Sequence, residues 1–382
     1  MKRKVNPRTE VMTSESIAAM IAAIAQMKRV ARLAFLGLAL ATLAGCAASS
    51  SHTAYLSLPQ SNAVAAYRIK NHNASFTSIV GSPYFAGNSP GPLVVDPSNK
   101  FLYVANRNDN TISRFKIDSQ VGSLTEVTPR VSTGLTPSAM VMDSAGRFVF
   151  VVNQISSNLS VYSVDSASGA LTPVAGSPFP ATPNPVALAV TPSGKFLYVV
   201  NSNLALLFGY AIGASGALQQ ISGPPFALGS GALAVAIDPG EKFVYVANSA
   251  ENTVTIASIN STTGALAPVV GSPYPAGTTP VALCVSPSRQ YLYIANEGGS
   301  DVTAYSMDLT TGIPTLITGS PFSAGTSPAL IVSDPNGQFV YTVSQSSTTI
   351  TVLSVTSGTG VLATSGQSTS TAVAAASMFV TK

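Results

Sequence analysis

The sequence predicts an all-β chain folded as a seven-bladed β-propeller, with four antiparallel strands per blade. Three observations carry the prediction. An aromatic-aliphatic strand pattern recurs at starts 53, 101, 148, 196, 243, 291 and 339, a fixed spacing of 47 or 48 residues. Each repeat holds four short apolar or alternating runs separated by Gly, Pro, Asn and Asp turns. The composition is 46% hydrophobic and 9% charged with 30 Gly and 26 Pro, which suits packed blades with short turns and excludes a disordered or long-helix chain.

The chain opens on an address rather than a blade. Residues 1–26 read as an over-called start or an extended n-region, with Met27 the better start. Residues 27–45 have the layout of an export signal: basic Lys28, Arg29 and Arg32, then the apolar run from Leu33 to Gly45. That run is shorter than the ~20 apolar residues that span a bilayer. Leu43-Ala44-Gly45-Cys46 resembles the lipobox of bacterial lipoproteins, which implies lipidation at Cys46 and a cell-envelope location, periplasmic or extracellular. Residues 46–52 then form a tether and 53–382 the propeller. The +4 formal charge belongs to this address. Residues 1–32 carry seven basic and two acidic side chains, and removing that excess of five leaves the body at −1. A nearly neutral body has no electrostatic footprint for nucleic acid.

Within the ring, the second strand of each blade is aromatic-aliphatic and ends at Asn, as in Phe101-Leu102-Tyr103-Val104-Ala105-Asn106 and Tyr291-Leu292-Tyr293-Ile294-Ala295-Asn296. A hairpin leads to an alternating third strand such as Thr111–Ile117, whose period of two fits one buried face. A Ser-Gly turn leads to the outer strand. A Gly-Pro-rich loop follows, then a small apolar inner strand such as Val186–Val190, and an Asp-Pro-type turn returns to the next blade. Small Ala and Val suit the inner position, where blades converge. The chain begins on a second strand, so Thr371–Thr381 is expected to supply the first blade's inner strand and close the ring, which removes exposed sheet edges.

Connectivity sorts the loops onto two faces. The hairpin after each Asn and the loop entering each inner strand share a top face; the Asp-Pro and Ser-Gly turns share the bottom. Gly-Ser/Pro-Pro-aromatic recurs five times, from Gly81-Ser82-Pro83-Tyr84 to Gly319-Ser320-Pro321-Phe322, and is expected to plug gaps between blades in the interblade loops. Asn106, Asn153, Asn201, Asn248 and Asn296 suit turns through side-chain bonds to nearby backbone, with a ring of ligand-facing amides the competing reading. Residues that break the repeat say more, because the scaffold does not demand them: Arg107, Asp109, Gln154, Glu251, Glu297 and Asp301. Arg107 and Glu297 directly follow strand ends nearest the central mouth.

Aromatic strands ending in Val/Ile-Ala/Val-Asn, with Pro-x-Gly-Lys turns at this period, resemble the seven-bladed lactonase family, which includes 6-phosphogluconolactonases and carboxymuconate cyclases and borders the YVTN-repeat propellers. In that family the entry to an inner strand often reads Pro-Arg-His, followed by Asn-Glu after the next strand. Here Pro137-Ser138-Ala139 and Pro280-Val281-Ala282 stand at such entries, and only Asn296-Glu297 keeps the second half. The resemblance therefore carries over Glu297 alone, as a base that activates water on a lactone.

Other chemistry is poorly supplied. The two histidines, His52 and His72, fall beside the anchor and in a bottom turn, so histidine general-base catalysis on the top face is not expected. Gly87-Asn88-Ser89-Pro90-Gly91 matches a nucleophile elbow only formally, since Pro90 removes the backbone N–H an oxyanion hole needs. Cys284 reads as a small core hydrophobe. No cofactor and no metal are called for. The reading is a lipid-anchored monomer whose top face binds a ligand, a lactone, sugar or partner protein, without catalysis. The alternative is a 6-phosphogluconolactonase-like lactone hydrolase using Glu297.

Overall fold

The computed structural model describes residues 51–344 and 346–381; the expected start extension, signal segment and Cys46 lie outside the described residues. The described chain is almost entirely β, with one short helical turn at Pro59–Ser61. Seven antiparallel sheets succeed one another along it. Blade 2 shows the plan: inner strand Pro90–Val95, second Phe101–Asn106, third Thr111–Ile117 and outer Leu124–Ser132.

Blade 1 is the composite one. Its second and third strands are Ser51–Leu58 and Ala63–Lys70, and its inner strand is Ser377–Val380 from the far end of the chain. Tyr55 pairs with Phe379 and Leu56 with Met378 in that junction. Thr53 and Thr381 extend it, each backbone N–H bonding toward the other residue. The second strand takes in Ser51 and His52, which the repeat arithmetic assigns to the tether.

Blades hold together through seams. Seven apolar clusters exist, one at each junction between neighbouring blades. The closing seam joins Tyr341, Val343 and Ile350 of blade 7 to Ala54, Leu56 and Val380 of blade 1. Polar contacts add register. The hydroxyls of Tyr55, Tyr103, Tyr198 and Tyr293 donate to the carbonyls of Gly122, Gly169, Gly264 and Gly360 in the next blade's Ser-Gly turn. Glycine is needed there twice over: Gly264 has φ +71°, and a Cβ on it would fall 2.5 Å from the Phe196 ring.

The bottom turns are stitched blade to blade. Ser144 Oγ donates to Pro192 O, Ser193 N–H to the Glu241 carboxylate, and Arg289 pairs with Asp238 at 2.9 Å. The buried ring of His52 lies 3.0 Å from the Asn336 amide across the closing seam.

One expectation needs correcting. The Gly-Ser-Pro-aromatic motif is not in the interblade loop. It interrupts the outer strand, between Pro314–Leu316 and Phe322–Ser323 in blade 6, for example. Ser82, Ser177, Ser272 and Ser320 each accept a third-strand N–H through Oγ, standing in for the missing ladder partner. The aromatic that follows does pack against the seam, as Phe179 and Phe322 show.

Candidate functional site: the mouth of the central channel

Inner strands run from the top face to the bottom, so their first residues ring the top of the central channel. All seven contribute to a cavity of about 260 Å³ there. Apart from Arg107, Ser138 and Ser377 its lining side chains are apolar, many of them small, as with Pro92, Ala139, Ala187, Val281 and Ala329. The reason lies in packing: seven strands converge, and in blades 2 to 6 the inner strand begins with a bulge next to the Asn that ends its neighbour, as between Pro280 and Ala282.

The five Asn do not reach this mouth. Each is fully buried. Asn106 Nδ2 donates to Thr111 and Ser113, and its Oδ1 accepts from Gly87 N–H. Asn296 does the same with Asp301, Thr303 and Gly277. Asn153, Asn201 and Asn248 are likewise bonded within their blades. The amides of Asn106, Asn201 and Asn296 use both ends to fix hairpin to loop, Asn153 and Asn248 keep a buried Oδ1 without a partner, and burial closes all five off from the mouth.

Several of the repeat-breaking charges are spent in the same way. Asp109 accepts from Asn88 N–H and pairs with Arg130 at 3.5 Å. Glu251 accepts from Ser230 N–H, and Asp301 from Asn296. Gln154 donates to Asn184 Oδ1 at 2.6 Å, linking blade 3 to the entry of blade 4.

Arg107 and Glu297 remain. They occupy the same position, directly after the second strand, in blades 2 and 6. Glu297 is half-buried; its N–H donates to Thr279 O, and among the described residues nothing bonds its carboxylate. Arg107 alone brings a charge into the cavity wall. Its Nε is buried without a hydrogen-bond partner, and no described carboxylate pairs with it. Burial pulls its pKa below the usual arginine value, though a guanidinium starts high enough to stay charged at neutral pH.

Gly91 makes room for it. A Cβ there would fall 2.6 Å from Arg107 Nε and 3.2 Å from Cδ. The matching places elsewhere hold Ser138, Val186, Leu233, Val281 and Ala329. Sequence reasoning missed this partnership. The signal was present: a glycine that breaks the inner-strand pattern in the one repeat whose second strand is followed by arginine. No group of described His, Cys, Asp and Glu residues is placed to hold a metal ion.

The family model for the lactonase seven-bladed β-propeller matches residues 46–188 and 187–379, nearly the whole described ring. The chain belongs to the lactonase β-propeller family. Solved structures agree on the fold. A Bacteroides uniformis protein provisionally named a 6-phosphogluconolactonase aligns with TM-score 0.75 at 17% identity, over 86% of this chain and 99% of its own. The periplasmic gluconolactonase of Pseudomonas aeruginosa aligns with TM-score 0.73 at 18% identity, over 87% of this chain and 99% of its own. No curated protein matches the chain by sequence. Within the lactonase family, this member places His52 in a buried strand and His72 in the bottom turn after Ala63–Lys70, neither at the channel mouth.

Proposed function

We propose that this propeller is tethered to the cell envelope through Cys46 and binds a small anionic molecule at the top mouth of its central channel without turning it over. The observation that carries the reading is Arg107, a half-buried guanidinium that lines a cavity, keeps its Nε buried without a partner and lacks a counter-charge among the described residues. A partly desolvated charge without a counter-charge gains from a partner that completes its hydrogen bonds. A carboxylate or phosphate would, through the fork of donors a guanidinium presents. A volume of about 260 Å³ lies just below the usual range for ligand pockets, roughly 300–1,000 Å³, and suits a sugar acid or its lactone. The periplasmic neighbour supports an envelope address.

A second reading, lactone hydrolysis, is favoured by Glu297. Its carboxylate is not tied into a loop, and it shares the ring position of Arg107. In that reading Glu297 takes a proton from a water that attacks the lactone carbonyl, and the ring oxygen leaves protonated as the hydroxyl of the open acid.

One experiment weighs both. The protein is titrated calorimetrically with aldonates, phosphorylated aldonates and their lactones, while lactone opening is followed by acid release. Binding of an acid, weakened at least tenfold by Arg107→Ala and unaccompanied by turnover, supports the first reading. Turnover abolished by Glu297→Gln would replace it with the second.

A further inference from the structure

The five described lysines, Lys70, Lys100, Lys116, Lys195 and Lys242, are all exposed and all stand at the bottom ends of strands. Lys100, Lys195 and Lys242 recur at one position, immediately before a second strand, and Arg147 fills that position in blade 3. The bottom carboxylates at that inner ring do not face outward equally. Asp96, Asp143, Asp238 and Asp334 are buried, each accepting backbone N–H groups of its own turn, and half-buried Glu241 is engaged by Ser193 N–H. Exposed Asp118, Asp165 and Asp308 stand in the Ser-Gly turns, set outward of that ring. The top face has the opposite character. It carries Asp109, Glu251, Glu297 and Asp301 and no described lysine; its cations are Arg107 in the mouth and Arg130, paired with Asp109.

The chain also enters the ring from below. Ser51 pairs with Lys70, at the bottom end of the first two strands. Four residues lie between Cys46 and Ser51, five chain steps that span at most about 17 Å when extended. The strand Ser51–Leu58 alone rises about 26 Å to the top face.

We infer that the bottom face is a docking surface for anionic lipid headgroups, so that the channel mouth points away from the membrane. The tether part of the argument rests on lipidation at Cys46; the charge part does not. Exposed lysines concentrate on the side from which the tether leaves, and anionic headgroups attract them within a Debye length. The top-face carboxylates disfavour the inverted pose. The ligand mouth is thereby left open to the surrounding compartment instead of being pressed on lipid.

Residues 47–382 carry the whole ring, since closure is made within 51–381. This unlipidated form is sedimented with vesicles of phosphatidylcholine alone or mixed equally with phosphatidylglycerol. The expected result is about tenfold more protein on the anionic vesicles, lost at high salt. Lys100→Glu with Lys116→Glu and Lys195→Glu abolishes the preference, whereas the same three lysines changed to Arg keep it. Equal sedimentation with both vesicle types, or an unchanged preference in the Glu variant, overturns the inference. Orientation is read on the mature, membrane-held protein with a fluorophore on Ala145→Cys, below, or Ala250→Cys, above, and a headgroup quencher. Both labelled variants also carry Cys284→Ala, because that native thiol is only half-buried and competes for the fluorophore. Stronger quenching at Ala145 supports the pose, and stronger quenching at Ala250 contradicts it. Absent lipidation with an intact vesicle preference removes the anchor reading and leaves the docking surface standing.

Discussion

Arg107 and Gly91 act as one unit. The guanidinium lies where five other inner strands put a side chain, and a glycine costs conformational freedom that a scaffold alone would not keep. Gly91→Ala therefore adds a methyl against the far part of a flexible side chain, not against backbone. The expected outcome is a stability change below about 1 kcal/mol by denaturant titration. Ligand affinity should nevertheless fall nearly as far as in Arg107→Ala. A Gly91→Ala protein that binds as tightly as the parent would mean the guanidinium's position does not matter. Gln154, at the same ring position, is held by Asn184, and its substitution by Ala is expected to leave affinity unchanged in the same titration.

At the scale of strands and turns, each seam combines an apolar cluster with a few buried polar contacts. Tyr198→Phe deletes the hydroxyl that donates to Gly264 O at 2.7 Å and leaves that carbonyl unpartnered, which costs about 1–2 kcal/mol. Gly264→Ala costs about 2–3 kcal/mol, since it meets both a left-handed backbone and the Phe196 ring. Urea denaturation separates the two, and equal stability in Gly264→Ala would show that the turn relaxes freely.

Much of this level was legible in the sequence. The aromatic strand, the Asn and the Ser-Gly turn recur because every blade meets the same neighbour in the same way, so period alone locates them. The Gly-Ser-Pro-aromatic motif was legible as a repeat yet misplaced. Nothing local distinguishes a loop from an outer strand broken for five residues, and only the serine's bond to the third strand reveals the difference. The role of Gly91 was hidden for the opposite reason. It appears once, and its meaning depends on a side chain sixteen residues away that reaches it only across a folded sheet.

The described residues form a closed ring with a stitched bottom and an open, charge-poor mouth. Closure makes stability collective, and buried phenols set its alkaline limit. Burial raises the pKa of Tyr55, Tyr103, Tyr198, Tyr245, Tyr293 and Tyr341 above the ordinary value. In the unfolded chain these phenols titrate near pH ~10. Their neutral form is favoured by folding, so the contribution is complete below that value and is lost as pH rises toward the folded pKa. The melting temperature is expected to hold level through neutral pH and drop steeply above pH ~10. A flat profile into stronger alkali would mean the phenols ionise without leaving the seams.

Anion binding at the channel mouth through Arg107 is measured directly by calorimetric titration of the wild-type protein and Arg107→Ala with a panel of aldonates and phosphorylated aldonates. The prediction is saturable binding of at least one acid with one site per chain, weakened at least tenfold by the substitution. Binding of equal strength in both proteins, or binding of none of the acids by the wild type, would contradict it.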